Sequence, residues 1–182
     1  MIRIFDFLFS FFGLLFIWPI GLILYMIGVF DTGSPIFVQE RVGRYKKPFK
    51  LLKFRTMPVN TKSVATHLSK DITITKFGSF LRRSKLDELP QLINVLLGDM
   101  SLVGPRPNLF NQVELIEERD KRGVYNAVPG ITGLAQINEI DMSTPVLLAE
   151  KDAEMLTNLT IADYFMYILS TVGGKGQGDR IN

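Results

Sequence analysis

The chain has 182 residues, a formal net charge of +3, no cysteine and a single histidine. This composition excludes a disulfide framework, thiolate chemistry and a zinc site built from several histidines. A Ser-His-Asp relay would need His67, which we interpret as a loop residue without a role. The length suits one domain, and no repeat or Gly/Ser/Pro-rich linker divides it.

The N-terminal segment is the most apolar part of the chain. Residues 7–30 carry no charge over 24 positions. As a helix they would be about 36 Å long, against about 30 Å of bilayer hydrocarbon. A signal peptide fits poorly because no cleavage site follows, and a core helix apolar on all sides would be rare. We therefore predict a membrane-inserted helix over residues 1–31 and a separate, cytoplasmic domain over residues 32–182.

The path of this helix through the membrane depends on Trp18 and Pro19 at its centre. Proline removes a backbone hydrogen bond and clashes with the preceding turn, so we predict a kink there. The residues alone allow a bent span or a helix that returns to the side it entered; we adopt the second as a hypothesis. A basic cluster follows Asp31 and should stay in the cytoplasm, close to an anionic surface or ligand. Its members are Arg41, Arg44, Lys46, Lys47, Lys50, Lys53 and Arg55.

Short β-favouring segments come next. Residues 35–42 and 49–56, joined by a polar link, predict a β-hairpin, and residues 72–75 predict another short strand. Apolar periodicity then predicts helices from Leu89 onward and over residues 108–119.

Two further helices are predicted near the C-terminus. One covers residues 145–156, with Thr144 as N-cap and Pro145 at the first position. The other carries an aromatic-rich apolar face from Ile161 to Val172. That face suits core packing and a position in the membrane interface about equally.

Asp87 and Glu88 are adjacent acids between leucines. A structural interpretation is available, because Ser84 and Asp87 have the spacing of a helix capping box and Pro90 suits a helix start. Adjacent carboxylates, however, repel each other unless positive charge lies close. Paired acids with cations are what phosphoryl chemistry needs: a carboxylate to attack, and arginines and a metal to hold phosphate. The cations that directly precede them are Arg82, Arg83 and Lys85.

Two downstream segments could contribute to such a site. Arg106 lies between two prolines, so its guanidinium can be presented at a small entropic cost. Gly130 and Gly133 could let backbone amides approach a ligand. An exposed loop arginine and an ordinary turn are the simpler interpretations of these two features.

Together these segments resemble the bacterial sugar transferase family, the monotopic phosphoglycosyl transferases, in its minimal form. The matching motifs are Q-E-R-V-G (39–43), K-F-R-T-M (53–57), L-D-E-L-P-Q-L (86–92), G-D-M-S-L-V-G-P-R-P (98–107) and P-G-I-T-G-L-A-Q (129–136). The resemblance implies an enzyme that moves a sugar-1-phosphate from a UDP-sugar to undecaprenyl phosphate, releases UMP and requires Mg2+. It also implies a re-entrant helix. The predicted fold class is therefore α+β and mainly helical, with a re-entrant N-terminal membrane helix, a small β-hairpin and interfacial amphipathic helices.

The resemblance also implies roles for individual residues. Asp87 would be the nucleophile that forms a covalent phosphosugar intermediate and would bind the metal, and Glu88 would assist it. The expected phosphate or substrate ligands are Lys53, Arg55, Arg82, Arg106 and Gln136.

Some positions depart from the family pattern. Lys46 stands where a turn glycine is common, which makes a left-handed conformation there costlier. The segment 71–75 lacks the usual arginine and proline, and Asn108 and Val128 replace a usual glutamate and arginine. These changes affect the expected sugar pocket but leave the two acids intact.

The expected location is the inner membrane of a bacterium, with the lipid bilayer as a partner, no nucleic acid and a possible homodimer. By analogy we favour an N-acetylated hexosamine as the sugar, ahead of galactose or glucose. The alternative function is a catalytically silent membrane anchor that recruits glycan-assembly proteins.

Overall fold

The computed structural model describes residues 2–59, 61 and 74–176, and within them the fold is α+β and mainly helical, as predicted. His67, interpreted as a loop residue, and residues 72 and 73, the start of the strand predicted over residues 72–75, lie outside the described residues. Ile74 and Thr75 are not in a strand, because the Thr75 side chain caps the next helix. The helices are α1 Ile2–Thr32, α2 Lys76–Arg83, α3 Gln91–Leu97, α4 Val113–Lys121, α5 Leu134–Ile137, α6 Pro145–Asn158 and α7 Ile161–Val172. The strands are β1 Ile36–Val42, β2 Pro48–Phe54, β3 Ser101–Val103 and β4 Gly130–Thr132.

Helix α1 is long and apolar enough to cross a membrane, and only 11% of its apolar 18-residue window is buried. It therefore differs from the core helix of a soluble protein. Trp18 and Pro19 are exposed, and the helix continues through Pro19 without a break. The predicted bend at Pro19 stays a prediction.

Both ends of α1 contact the same body of the protein. Near the N-terminus, the Arg3 guanidinium donates to the carbonyl oxygen of Leu96 at 2.9 Å, at the end of α3. Near the C-terminus, Leu24 packs in a cluster with Phe54 and Leu81. Helix α1 thus lies along one face of the protein.

Asp6 is the main polar link between α1 and the rest of the chain. Its buried Oδ1 accepts hydrogen bonds from the Ser101 hydroxyl at 3.0 Å, the Leu102 amide at 2.9 Å and the Tyr164 hydroxyl at 2.9 Å. A buried carboxylate without hydrogen-bond partners would destabilise the fold. These three donors satisfy Asp6, which thereby links α1 to β3 and α7.

Helix α7 combines both interpretations of its apolar face. Tyr164 and Tyr167 are buried in the core, and Phe165 packs against Phe5 of α1 with ring centroids 5.3 Å apart. Leu169 and Val172 are 70% and 82% exposed. One side of α7 therefore packs against α1, and the other side presents apolar surface outward.

The predicted β-hairpin is confirmed. Strands β1 and β2 are antiparallel, with Ile36 opposite Phe54 and Val42 opposite Pro48. The turn places Tyr45 and Lys46 in the left-handed region, at φ 56° and 59°. Lys46 thus adopts the left-handed conformation that the sequence analysis considered at this turn, where side chains other than glycine's are strained.

Helix α4 starts five residues later than predicted. The segment from Asn108 to Gln112 is instead held as a turn by its own amide side chains: the Gln112 Oε1 accepts from the Leu109 amide at 2.9 Å. Side chains of this kind compete with helix formation by bonding nearby backbone groups. Helix α6 is confirmed, with Pro145 as its first residue, although the Thr144 side chain makes no capping bond.

A parallel pair of short strands, β3 and β4, was not predicted. Ser101 lies opposite Gly130 and Val103 opposite Thr132. The glycines bring two backbones together: a Cβ on Gly130 would lie 2.0 Å from the amide nitrogen of Gly104. The expectation that Gly130 and Gly133 let amides approach a ligand is therefore wrong for Gly130, whose amide donates to the Pro105 carbonyl at 2.9 Å. At Gly133 a Cβ would lie 2.8 Å from the Gly104 carbonyl oxygen, so packing requires glycine there as well.

Candidate functional site

The two acids lie on a single 3-10 turn, Leu86–Glu88, between α2 and α3. The alternative interpretation of Ser84 and Asp87 as a capping box does not hold, because Ser84 ends α2 and its hydroxyl donates to the Phe80 carbonyl at 2.8 Å. Pro90 precedes the first residue of α3, in agreement with a helix start nearby. The acids are thus held by a short turn between two helices.

Positive charge from distant segments surrounds Glu88. The Arg106 Nη2 donates to the Glu88 Oε1 at 2.7 Å, and the Lys53 Nζ lies 3.8 Å from the same oxygen. Asp87 and Lys53 are both buried to about nine-tenths of their surface. The predicted combination of paired acids with cations is present, and two of its cations come from β2 and the P-R-P loop, residues 105–107.

Hydrogen bonds to main-chain carbonyls hold the P-R-P loop. Four consecutive carbonyl oxygens, from Pro105 to Asn108, accept from three segments, β1, α4 and β4, which leaves the loop little freedom. The bonds are Gly130 N to Pro105 O at 2.9 Å, Arg119 Nη1 to Arg106 O at 2.9 Å, Arg41 Nη1 to Pro107 O at 3.0 Å and Val42 N to Asn108 O at 2.9 Å. This is how the fold presents the Arg106 guanidinium in one direction.

Arg119 and Asp152 form a buried ion pair that supports this loop and that sequence reasoning missed. Their exposed side-chain fractions are 1% and 0%, and the Arg119 Nη2 lies 2.7 Å from the Asp152 Oδ2. Arg119 also donates to the Asn108 Oδ1 at 2.9 Å. Burial raises the pKa of Asp152, and the Arg119 guanidinium opposes that rise. A sequence signal existed, because Arg119 follows the core residue Leu115 by one helical turn on α4.

The other predicted phosphate ligands, Arg55, Arg82 and Gln136, each donate a hydrogen bond to a different segment of the protein. The Arg55 Nε donates to the Ser34 carbonyl at 2.7 Å, so this guanidinium fastens the start of the hairpin. The Arg82 Nε donates to the Thr56 hydroxyl at 3.0 Å. The buried Gln136 donates to the Gly104 carbonyl at 3.3 Å, directly before the P-R-P loop. Lys53 and Arg106 thus contact Glu88 directly.

A cleft opens beside Arg106. Its walls come from the hairpin turn at Gly43, the P-R-P loop, and the segment that contains Tyr125 and Pro129. The cleft therefore connects the loop that carries Arg106 with two of the motifs identified in the sequence.

The described residues contain no group of three or more His, Cys, Asp or Glu side chains that could hold a metal ion by themselves. Mg2+ usually keeps several waters and binds one or two carboxylates together with substrate phosphates. Asp87, which the family resemblance names as the metal ligand, is a carboxylate on the acid turn beside Glu88 and could serve in this way. The residues present fit Mg2+ in this limited sense.

Comparison with known proteins gives one family. The model of the family described as "Bacterial sugar transferase" matches residues 1–175. The "Uncharacterized sugar transferase EpsL" of Bacillus subtilis is 47% identical over 120 residues, covering 64% of this chain and 59% of that protein.

Two further relatives are named for a sugar. The "UDP-glucose:undecaprenyl-phosphate glucose-1-phosphate transferase" of Escherichia coli is 50% identical over 114 residues, covering 59% of this chain and 24% of that protein. The "Putative undecaprenyl-phosphate N-acetylgalactosaminyl 1-phosphate transferase" of B. subtilis is 45% identical over 133 residues, covering 71% of this chain and 70% of that protein. The matched part of the first relatives is 24% to 59% of their length.

Proposed function

Because the chain belongs to the bacterial sugar transferase family, we propose that it transfers a sugar-1-phosphate from a UDP-sugar to undecaprenyl phosphate and releases UMP. The observation that carries this proposal is the turn with Asp87 and Glu88, where Arg106 lies 2.7 Å and Lys53 3.8 Å from one carboxylate oxygen. Such a group of acids and cations suits a reaction between two phosphates.

In the proposed reaction, the Asp87 carboxylate attacks the phosphorus that bears the sugar, and the bond from this phosphorus to UMP breaks. The phosphate oxygen of undecaprenyl phosphate then attacks the same phosphorus and displaces Asp87. Covalent catalysis of this kind divides one transfer between two bulky phosphates into two simpler displacements.

Glu88 and the P-R-P loop prepare the site for phosphate. Glu88 holds the Arg106 guanidinium and the Lys53 ammonium group at one oxygen, so both cations are oriented before substrate arrives. Arginine can bind phosphate through two parallel hydrogen bonds, and preoriented donors need no reorganisation when charge develops.

Mg2+ would neutralise charge on the phosphate oxygens, with Asp87 as the protein ligand. The other positive charges at the proposed site are those of the protein's own side chains, such as Arg106 and Lys53.

The membrane helix supports the choice of a lipid acceptor. Arg3 and Leu24 of α1 both contact the same body, so a straight crossing would pull that body into the bilayer. We infer that α1 enters and leaves the membrane on one side, with the basic cluster and the catalytic domain in the cytoplasm at the inner membrane. This arrangement would place the site at the height of the undecaprenyl phosphate headgroup.

For the sugar we propose an N-acetylated hexosamine. The relative that matches this chain over 70% of its own length is named for N-acetylgalactosamine. A glucose donor is the next candidate, from the name of the E. coli relative. The homodimer stays a prediction.

The test is UMP release by the detergent-purified protein with Mg2+ and undecaprenyl phosphate, measured across a panel of UDP-sugars. We expect release with one sugar and its loss on chelation. Folded protein that releases no UMP with any sugar would contradict the proposal and favour the silent membrane anchor.

A further inference from the structure

The C-terminal end of α7 lies directly against the turn that carries the two acids. We name residues 171–176 the tail segment. Lys85, the residue before the acid turn, donates from its Nζ to the Lys175 carbonyl at 2.8 Å and to the Thr171 carbonyl at 3.4 Å. A lysine suits this place because the carbonyls at the end of a helix carry partial negative charge.

Two other contacts join the tail segment to the motif of residues 129–136. The Thr171 and Thr132 hydroxyls are hydrogen-bonded at 2.5 Å. Gly176 is buried, and a Cβ there would lie 2.9 Å from the Gln136 carbonyl oxygen. The tail segment thus touches two of the segments that surround the candidate site.

The backbone of Lys85 gives an independent indication. Its φ is 57°, in the left-handed region that a lysine rarely adopts. A strained residue persists when its surroundings determine its conformation, and such residues concentrate at functional sites. This conformation turns the chain at the end of α2, so that the 3-10 turn with Asp87 and Glu88 follows at once.

We propose that Lys85 is a positioning residue that fastens the Asp87–Glu88 turn to the end of α7, so that the tail segment forms one wall of the catalytic site. This inference rests on the proposed function. It also joins the site to the membrane surface, because Leu169 and Val172 on the same helix present apolar side chains outward. The depth at which α7 lies in the interface and the direction of the two acids would then be set together.

The first experiment uses Lys85→Gly, which removes the side chain and relieves the left-handed strain. We expect kcat for UMP release to fall at least about ten-fold, while KM for the UDP-sugar changes less than about two-fold. Lys85→Arg keeps a long cationic donor and should recover most of kcat. The matched control is Glu139→Gly, at an exposed residue that is also left-handed, which should keep the wild-type kcat.

The second experiment needs no turnover. Hydrogen exchange of the folded protein in lipid nanodiscs should show faster exchange of the amides of residues 86–92 in Lys85→Gly, and unchanged exchange there in Glu139→Gly. Thr171→Val, which removes only a hydroxyl, should give a smaller change in the same direction and serves if Lys85→Gly does not fold.

The outcomes separate the two proposals. Wild-type kcat and wild-type exchange in both Lys85→Gly and Thr171→Val would overturn the role of Lys85. A wild-type protein without UMP release would overturn the proposed function, and the exchange result would still decide whether Lys85 holds the turn.

Discussion

Two acid–arginine pairs of equal length occupy different surroundings in this protein. Arg106 and Glu88 are 2.7 Å apart, with side chains 19% and 12% exposed, and Arg119 and Asp152 are also 2.7 Å apart but 1% and 0% exposed. The first pair includes Glu88, the neighbour of Asp87 on the acid turn, and the second supports the loop that carries Arg106 through the bond from Arg119 to the Arg106 carbonyl.

The difference shows how burial decides what an ion pair does. A fully buried pair cannot exchange partners with a substrate, and the loss of one member leaves an uncompensated charge. A pair that solvent can reach can rearrange its hydrogen bonds when a phosphate binds. We therefore expect changes near the first pair to affect turnover and changes in the second pair to affect stability.

The largest expected effect concerns Asp87. Asp87→Asn keeps the side-chain shape but removes the nucleophile, so kcat for UMP release should fall by at least about 10^4-fold with thermal unfolding unchanged. UMP release and a melting curve on the same preparation measure both. A variant that keeps the wild-type rate would remove Asp87 from the nucleophile role.

The second effect concerns the buried pair. Asp152→Ala leaves Arg119 buried without its carboxylate and should cost about 3–5 kcal/mol of unfolding free energy. Denaturant unfolding in detergent micelles measures it. The control is Glu150→Ala on the same helix: Glu150 is 54% exposed and 3.2 Å from Arg122, so its loss should cost less than about 1 kcal/mol. Equal stability of the two variants would refute the distinction between the pairs.

The third prediction exchanges arginine for lysine in each pair. Arg106→Lys keeps the charge but loses the planar fork, so kcat/KM should fall about 10^2-fold while stability stays within about 1 kcal/mol of wild type. Arg119→Lys should lower stability, because one ammonium group cannot reproduce the bonds to Asp152, Asn108 and the Arg106 carbonyl. If both variants lost stability and both kept the wild-type kcat/KM, Arg106 would have a structural role like that of Arg119.

The smallest effect concerns Asp6, a buried acid held by neutral donors. Tyr164→Phe removes one of these donors and should lower the free energy of unfolding by about 1–2 kcal/mol.

The same tyrosine should make stability depend on pH. Burial and the Asp6 carboxylate raise the pKa of Tyr164, whereas the tyrosine of an unfolded chain ionises near pH ~10. The contribution of Tyr164 is thus complete below about pH 10 and is lost as pH rises above it. Melting temperatures at pH about 8 and about 11 should show a larger alkaline decrease for wild type than for Tyr164→Phe; equal decreases would contradict this account.

The sequence predicted those parts of the fold that depend on local patterns. The uncharged run predicted α1, two β-favouring segments joined by a polar link predicted the hairpin, the Thr144-Pro145 start predicted α6, and apolar periodicity predicted α7. The left-handed conformation of Lys46 could also be anticipated, because lysine stands at a turn position where glycine is common. The sequence left a capping box at Ser84 and Asp87 as an alternative, and the structure excludes it, because here the Ser-x-x-Asp spacing occurs where one helix ends and a 3-10 turn begins.

The partners of the site residues could not be predicted in this way. Adjacency in the sequence indicated Arg82, Arg83 and Lys85 as cations near the acids. Adjacency could not show that Glu88 also meets Lys53 of β2 and Arg106 of a loop 18 residues away. The glycines of residues 129–136 likewise looked like ligand contacts, and the fold uses them to bring β4 against Gly104.

The sequence by itself determined that two acids, a group of cations and a membrane-length helix belong to one chain. Only the tertiary structure decided which cation meets which acid and that Asp6 bonds Tyr164, 158 residues away. Local sequence carries propensity, periodicity and charge, because these act over a few residues. Ion pairing and burial depend on segments brought together by the whole fold, and for that reason Arg119, Asp152 and Lys85 gained their roles only in three dimensions.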